Sequence, residues 1–324
     1  MATVRGEAKL SAPRVDEPGE HTAHIRERLR AVVLLGGGVR ATSLSAAIGR
    51  SVLDLPVEDD RSILDLWRRE AKILAERIDL DELSVHVMIN RGSVHPTPSP
   101  TANGVRMTVE EDASAYRGTA GVLRDMTEEF DDDDCILVAN GAQIMVEPLA
   151  DLCIAMVDMD ADVCLVCHDD GTPGGVMWLR SRVLKTVSRI GFVDLKEQAL
   201  PLIAAEHRVA IMHRTEPTGL SVRTLSDYIN ALRWHHRRDQ GPHQRSGAFA
   251  EAWRPTFGIV EEGAVLGDEV RVHDSVVLGG AHVERGAVLV QSLVCPDGTV
   301  ARRRILTDRL VTAAQSRKPH RGSP

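Results

Sequence analysis

The first two thirds of the chain alternate short apolar runs with longer amphipathic segments. Ala31–Leu35, Cys135–Ala139 and Asp162–Cys167 are almost unbroken apolar runs, each with the length of a buried strand. Ser62–Ile78 repeats apolar residues at helical spacing, whereas Leu83–Ile89 alternates apolar and polar residues as a strand does. Strands that alternate with helices in this way predict an α/β fold, with a mostly parallel sheet covered on both faces.

Further elements extend this alternation in both directions. The pattern predicts helices at Thr119–Phe130 and Leu149–Val157 and a strand at Gly175–Leu179. The amino-terminal segment carries prolines and alternating charges without a sustained apolar period, so we expect a mobile tail that ends in a short helix around His24–Arg30. Gly36–Gly38 directly follow the first apolar run, and a buried strand that runs into a glycine-rich turn typically begins a doubly wound unit.

A six-residue period of aliphatic residues appears near the carboxyl end of the chain. With one slip of a residue, the period runs through Val260, Leu266, Val272, Leu278, Val283 and Leu289. A period of six predicts a short parallel β-helix, in which each six-residue side places one aliphatic side chain inward, and a plain β-meander is the alternative. The predicted organisation is a tail at 1–30, an α/β domain at 31–238, a linker at 239–254, a β-helix at 255–312 and a second tail at 313–324.

The amino-acid composition excludes several classes of protein. The chain has 324 residues, of which 43% are hydrophobic and 27% are charged, and this balance is that of a globular protein rather than a disordered or fibrous one. A formal net charge of −8 argues against a general nucleic-acid-binding protein. The apolar runs are far shorter than a bilayer span, so we expect no membrane partner. Five cysteines, and a first segment without a secretory apolar core, favour reduced thiols and a cytoplasmic location.

Five short motifs occur in a characteristic order. They are Val32–Gly38, Arg50–Val57, Gly118–Gly121, Val138–Gly141, and the pair of segments Gly174–Leu179 and Phe192–Lys196. Their order and spacing, followed by the hexapeptides, resemble the sugar-1-phosphate nucleotidylyltransferases, which include mannose-1-phosphate guanylyltransferase and N-acetylglucosamine-1-phosphate uridylyltransferase. The resemblance covers residues 31–312. It implies a Rossmann-like nucleotidyltransferase domain followed by a short left-handed parallel β-helix.

The resemblance also implies where ligands bind. Glycines after the first strand let backbone N–H groups approach a polyphosphate, and arginine neutralises phosphate oxygens with a planar, multi-donor group. The nucleotide-binding candidates are Gly36, Gly37, Gly38, Arg40, Gly118, Thr119, Ala120, Asn140 and Gly141. Gly175 and Lys196 are the candidates on the substrate side, and Arg40 and Arg50 are the catalytic candidates.

Several positions depart from the family pattern. Ala142 and Ser221 stand where the family has its two metal-binding aspartates, so we expect no metal ligands there, and Arg50 stands in place of the signature lysine. Nucleotidyl transfer gathers several negative oxygens and needs a divalent cation and fixed positive charge. The sequence therefore predicts a regulatory or catalytically degenerate relative that binds a nucleotide or nucleotide-sugar. The alternative is an active nucleotidylyltransferase with a rebuilt metal site, which would need Mg²⁺.

The hexapeptide segment carries the expectation about partners. We expect it to join copies of this chain to each other, or to an active relative, as a homo-oligomer or hetero-oligomer. A third hypothesis, an acyltransferase built on the same segment, would need a catalytic histidine, and His273 and His282 are the histidines within the repeat.

Overall fold

The computed structural model describes residues 18–36, 42–97, 104–112, 117–239 and 256–313, and it contains an α/β part followed by a coil of short strands. The elements of the α/β part are, in chain order, α1 (Pro18–Arg28), β1 (Leu29–Leu35), α2 (Ser43–Ile48), β2 (Pro56–Glu58), β3 (Arg61–Ser62), α3 (Ile63–Arg77), β4 (Leu83–Ile89), β5 (Val105–Glu111), α4 (Gly118–Met126), β6 (Cys135–Asn140), β7 (Gln143–Met145), α5 (Leu149–Asp158), β8 (Val163–His168), β9 (Pro173–Arg180), α6 (Ser181–Lys185), α7 (Leu200–Glu206), β10 (Val209–Arg214), β11 (Gly219–Ser221) and α8 (Leu225–Asp239). A 3₁₀ turn at Val52–Asp54 and a π-helical turn at Leu195–Ala199 lie between these elements.

Seven of these strands form the central sheet, in the order β10-β8-β9-β6-β1-β4-β5. β1 lies near the middle and pairs in parallel with β6 on one side and with β4 on the other. β9 is antiparallel to both of its neighbours, and the other neighbouring pairs of the described sheet are parallel. The predicted α/β class with a mostly parallel sheet is confirmed.

Apolar side chains cover both faces of the sheet because successive residues of a buried strand point to opposite sides. In β6, Leu137 faces a core shared with Trp67 of α3 and Leu152 of α5. The next residue, Val138, faces a second core that includes Leu123 of α4. Helices therefore cover both faces of the sheet. A ligand can reach the sheet at the edges where its strands begin and end.

Most predicted elements lie within a few residues of the observed ones, and the differences have local causes. α1 spans Pro18–Arg28, whereas the predicted helix lies around His24–Arg30 and follows a mobile tail; the fully buried Ile25 packs α1 against the domain. α3 begins where Ser62 and Asp65 form a capping box, as the sequence suggests. α4 ends at Met126, four residues before the predicted end at Phe130.

The carboxyl-terminal strands wind into a three-sided parallel coil. They are β12 (Gly258–Val260), β13 (Val265–Leu266), β14 (Arg271–His273), β15 (Ser275–Val277), β16 (His282–Val283), β17 (Val288–Val290), β18 (Leu293–Val294), β19 (Thr299–Val300), β20 (Ile305–Thr307) and β21 (Leu310–Val311). Val276 pairs in parallel with Ile259 of the preceding coil and with Leu293 of the next. These partners are 17 residues apart, so one of the three sides has five residues. The slip falls between Val272 and Val277, which pairs with Val260, and not after Leu278 as the six-residue period predicts.

The coil and the α/β part share one hydrophobic core. Ile259, Val276 and Leu293 of the coil belong to the same buried cluster as Trp67 and Tyr228 of the α/β part. Continuity of this kind means that each part covers apolar surface of the other. In the part of the chain that the structure describes, no helix has the length and apolar character needed to cross a bilayer.

Candidate functional site

A cleft opens at the carboxyl edge of the central sheet, where β1, β4 and β6 end. Backbone hydrogen bonds connect the strand ends at this edge: the Gly36 N–H donates to the Met88 carbonyl at 2.8 Å, and the Gly141 N–H donates to the Leu35 carbonyl at 2.9 Å. A cavity of about 240 Å³ lies beside these strand ends and the start of α4. It is lined by Leu35, Met88, Ile89, Asn90, Arg91, Asp112, Gly118, Thr119, Val122 and Phe192. In open α/β sheets, ligands bind at this edge, where neighbouring connections diverge.

Gly118 fixes the start of α4 at this cleft. Its φ is +70°, and a Cβ atom at this position would lie 2.4 Å from the Val193 carbonyl oxygen. No side chain can occupy that space without moving the backbone. The Ala120 N–H donates to the same carbonyl at 3.1 Å, and the Val193 N–H donates to the Arg117 carbonyl at 2.9 Å. The two segments therefore hold Thr119 at the wall of the cavity.

The structure gathers many of the predicted nucleotide-binding residues at this edge. Gly118 and Thr119 line the cavity, and Gly36 and Gly141 lie at the strand ends beside it. Asn140 pairs with Leu35, and its side-chain oxygen accepts the Ala142 N–H at 3.2 Å. Ala120 is completely buried, and its N–H is already bonded within the protein. The predicted residues Gly37, Gly38 and Arg40 lie outside the described residues.

Arg50 contacts the coil. Its guanidinium donates to Glu261 Oε1 at 2.6 Å, and its buried Nε atom has no hydrogen-bond partner among the described residues. Its charge also acts on nearby Asp54: burial raises the pKa of that carboxyl, while the Thr97 N–H and Arg50 partly counter the rise. A catalytic role for Arg50 stays a prediction, and the contact with Glu261 supplies a structural role.

Of the two positions expected to lack metal ligands, Ser221 lies on β11, and Ala142 directly precedes β7, the strand that pairs with β11. Ser221 pairs with Gln143, and the Val222 N–H donates to the Ala142 carbonyl at 2.8 Å. The Gln143 side chain is buried, and its Oε1 lies against the α-carbons of Gly175 and Gly219. Within the described ranges, the structure contains no group of three or more His, Cys, Asp or Glu side chains arranged to hold a metal ion.

Three polar residues of the cleft lie outside the sequence motifs, and the aromatic residue Phe192 belongs to a motif but is not among the predicted site residues. Asn90 and Arg91 directly follow β4, Asp112 directly follows β5, and Phe192 comes from the segment before the π-helical turn. Arg91 is exposed, and the described residues give its guanidinium no ion-pair partner. Polar residues directly after a parallel strand lie at the carboxyl edge of the sheet. The position of Asn90 and Arg91 directly after the predicted strand Leu83–Ile89 is therefore the sequence feature that could have identified them as cleft residues.

The predicted substrate-side residues line a second pocket on the same edge. Gly175 and Lys196 contribute to a cavity of about 210 Å³ above β8, β9 and β10. Its other lining residues are Leu165, Val166, Cys167, Pro173, Val176, Met177, Leu200 and Ile211. Phe192 lines the first cavity and Lys196 the second, so one short segment borders both.

An ion-pair network occupies the opposite edge of the sheet. Asp162 accepts hydrogen bonds from the Arg182 side chain and, at 3.1 Å, from the Arg208 N–H. Asp134 pairs with Arg30 at 2.7 Å. This edge joins β1, β6 and β8 at their beginnings, at the far end of the strands from the cleft.

The two histidines of the coil that the acyltransferase hypothesis names lie on different sides of it. His273 is on β14 and His282 is on β16, which belong to different sheets.

Comparisons with known proteins identify no family. No protein-family model matches the chain, and no curated protein matches it. The crystal structure of the Rv0371c homolog from Mycobacterium sp. strain JC1 is 20% identical and has a TM-score of 0.44, with 66% of this chain and 99% of that chain covered. Rv0371c from Mycobacterium tuberculosis H37Rv is 19% identical with a TM-score of 0.41, and 63% of this chain and 97% of that chain are covered. Likenesses at this level carry no argument about function.

Proposed function

We propose that this protein binds a nucleotide or nucleotide-sugar in the cleft, as a regulatory or catalytically degenerate relative of the sugar-1-phosphate nucleotidylyltransferases. The observation that carries the proposal is the cavity between the ends of β1 and β4 and the first turn of α4. The first N–H groups of a helix have no partner within the helix and attract anions, although in this turn the Ala120 N–H is already bonded to the Val193 carbonyl. Gly118 places this turn against Val193, with Thr119 at the cavity wall.

Arg91 supplies the positive charge that a phosphate group needs. It lines the same cavity, on the side of the β4 end. A guanidinium can donate two parallel hydrogen bonds to a phosphate, which gives both strength and orientation. Asp112 and Asn90 at the cavity offer acceptors for the N–H groups of a base.

The proposal of lost or altered catalysis rests on two side chains. Magnesium at nucleotidyl-transfer sites is held by carboxylates together with the substrate phosphates. Ala142 cannot bind a cation through its side chain, and Ser221 offers a neutral hydroxyl. Without two carboxylates, the charge that develops during pyrophosphate release has no fixed counter-ion at these positions.

For the coil, we propose a left-handed parallel β-helix that joins copies of this chain to each other or to an active relative. The 17-residue repeat and the stacked aliphatic residues support a β-helix. Its outer surface carries Ile305, which is 69% exposed, and Val265, which is 49% exposed. The substitution Ile305→Glu is expected to lower the average mass in sedimentation velocity, and an unchanged mass would exclude the β14-β17-β20 side of the coil, which carries Ile305, as the contact.

Nucleotide binding can be tested on the full chain by calorimetric titration with the four common nucleoside diphosphates and triphosphates, with and without Mg²⁺. We expect at least one nucleotide to bind, and Arg91→Ala to weaken it about tenfold because a charge-assisted hydrogen bond is lost. Arg271→Ala is the matched control, since Arg271 is also exposed but lies on the coil. The nucleotide affinity of the Arg271→Ala variant should equal that of the unsubstituted protein.

A parallel assay follows pyrophosphate release from each triphosphate mixed with sugar 1-phosphates and Mg²⁺. We expect no release above the rate without protein. Release that depends on Mg²⁺ and on the protein would instead establish the active enzyme with a rebuilt metal site. If no nucleotide binds under any condition, the binding function is excluded and only a role in assembly is left.

A further inference from the structure

The second pocket, on the β8–β9–β10 side of the carboxyl edge, has a chemistry unlike that of the cleft. It has a volume of about 210 Å³. Leu165 and Met177 form its floor on the sheet, and Leu200 of α7 borders it. Ile211 of the edge strand β10 also lines it and is 49% exposed. A large aliphatic side chain left half exposed in this way is available to contact a ligand.

Among the described residues that line this pocket, Lys196 alone carries a charge. Its side chain is exposed, and the described residues give its ammonium group no ion pair or hydrogen bond. Its backbone N–H is bonded to Asp194 Oδ1 at 2.8 Å, which fixes the start of the π-helical turn and with it the position of Lys196 at the pocket. An apolar pocket with one cation at its border fits a molecule with an apolar body and one negative group.

We propose that this pocket binds a small anionic amphiphile, with its aliphatic body against Leu165, Met177 and Ile211 and its acidic group at Lys196. The site goes beyond the proposed nucleotide-binding function and does not depend on it. Transfer of aliphatic surface from water into the pocket supplies the binding free energy, and the ammonium group supplies the preference for an anion.

A sugar ring fits this lining poorly. Each ring hydroxyl that enters an apolar environment without a hydrogen-bond partner loses its hydrogen bonds to water and gains none in return, which opposes binding. Apart from Lys196, the side chains that line the pocket are aliphatic, thioether, thiol or proline groups, or glycine without a side chain. The lining therefore favours an alkyl chain over a polyol.

Cys167 provides a reporter inside the pocket. It lines the cavity and is partly exposed, whereas Cys135, Cys153, Cys164 and Cys295 are buried. A thiol reagent applied briefly to the folded protein should label Cys167 first, and mass spectrometry of peptides identifies the labelled residue. A molecule bound in the pocket must shield this thiol.

The experiment measures the labelling rate of Cys167 in the full chain during titration with octanoate, octanol or glucose 1-phosphate. We expect octanoate to slow labelling at least fivefold at saturation, octanol to require a concentration about tenfold higher, and glucose 1-phosphate to have no effect. The substitution Lys196→Gln should remove the advantage of octanoate over octanol. Lys72→Gln on α3 is the control and should preserve it.

Three results would overturn the inference. Equal protection by octanol and octanoate would exclude recognition of the acidic group, and no protection by any of the three compounds would exclude the site altogether. Protection by glucose 1-phosphate but not by octanoate would assign the pocket to a sugar phosphate. Because the nucleotide titration uses Arg91 and the other cavity, its failure leaves these outcomes unchanged.

Discussion

Arg50 and Glu261 join the two halves of the chain across 211 positions of sequence, with a guanidinium-to-carboxylate distance of 2.6 Å. The other oxygen of Glu261 accepts the Gly279 N–H at 2.8 Å, so the carboxylate is fixed to the coil while it holds the arginine. Both side chains are largely buried, at 26% and 17% exposure. A pair in this setting is less screened by solvent than a surface ion pair.

We expect the pair to show energetic coupling in a double-mutant cycle. Arg50→Ala and Glu261→Gln should each lower the free energy of unfolding, and the double variant should be less destabilised than the sum of the two by about 1–2 kcal/mol. Urea unfolding of the four proteins measures this. Additive effects would show that the pair contributes no coupling, and a selective loss of nucleotide affinity in Arg50→Ala would instead favour the predicted role at the phosphate.

Gly118→Ala should be strongly destabilising, because the added Cβ would overlap the Val193 carbonyl. Gly49→Ala is the matched control: Gly49 has a φ of +68°, against +70° for Gly118, but a Cβ atom added there would meet no described atom within 4 Å. Gly49→Ala should lower the free energy of unfolding only by the cost of a left-handed backbone conformation at a residue with a Cβ atom, about 1–2 kcal/mol. Thermal unfolding should separate the two variants, and equal melting temperatures would mean that the contact with Val193 is not rigid.

Asp162 makes the amino edge of the sheet sensitive to acid. Burial by itself raises the pKa of this carboxyl, but hydrogen bonds from Arg182 and the Arg208 N–H outweigh that effect, and the pKa lies below its usual value. A lowered pKa in the folded state means that the carboxylate stabilises the fold above the unfolded-state pKa, about 3.9. The contribution is lost as the pH falls through the lower, folded-state value.

Asp162→Asn is therefore expected to cost about 1–2 kcal/mol at pH 7, because Arg182 loses one of its two carboxylate partners and keeps Asp133. The difference from the unsubstituted protein should shrink as the pH falls below about 4. Urea unfolding between pH 2.5 and 7 checks both points, at roughly half-unit steps. Asp268→Asn, at an exposed residue of the coil, should change the stability little at any pH.

The buried cysteines should stay unreactive while the protein is folded. Burial raises the pKa of Cys135 to about 12 and those of Cys164 and Cys295 to about 11, and it raises the pKa of Cys153 as well. The thiolate is the nucleophile, so these residues should react with iodoacetamide at pH 8 only after unfolding. One equivalent of label per folded chain and five per unfolded chain are expected, and fast labelling of Cys153 would contradict its burial in the core.

The sequence predicts the layered core well because hydrophobic periodicity is a local signal. Cys135–Ala139 and Leu83–Ile89 lie within the observed β6 and β4. The edge strand β5 is missing from the predicted elements, although Val105, Met107 and Val109 alternate with polar residues. It lies at a border of the sheet, where only Val105 is buried, so its apolar positions are less pronounced than those of a central strand. β10 at the other border is missing from the predicted elements as well.

Contacts between distant parts of the chain leave no local signal in the sequence. Gly118 is predicted to bind a ligand, but its closest neighbour is the Val193 carbonyl, 75 positions away. Arg50 stands out for its charge, and nothing near it in sequence indicates Glu261. Composition and spacing identify which residue types reach the carboxyl edge, whereas the partner of each side chain depends on how the layers pack.

The core that runs without interruption from the sheet into the coil has a consequence for the integrity of the protein. A peptide bond cut between α8 and Phe257 would sever the backbone but would leave Ile259, Val276 and Leu293 seated against Tyr228. The two fragments should then travel together as a nicked complex and come apart only in denaturant. The α/β part and the coil should therefore stay associated while they are folded, and they should unfold together.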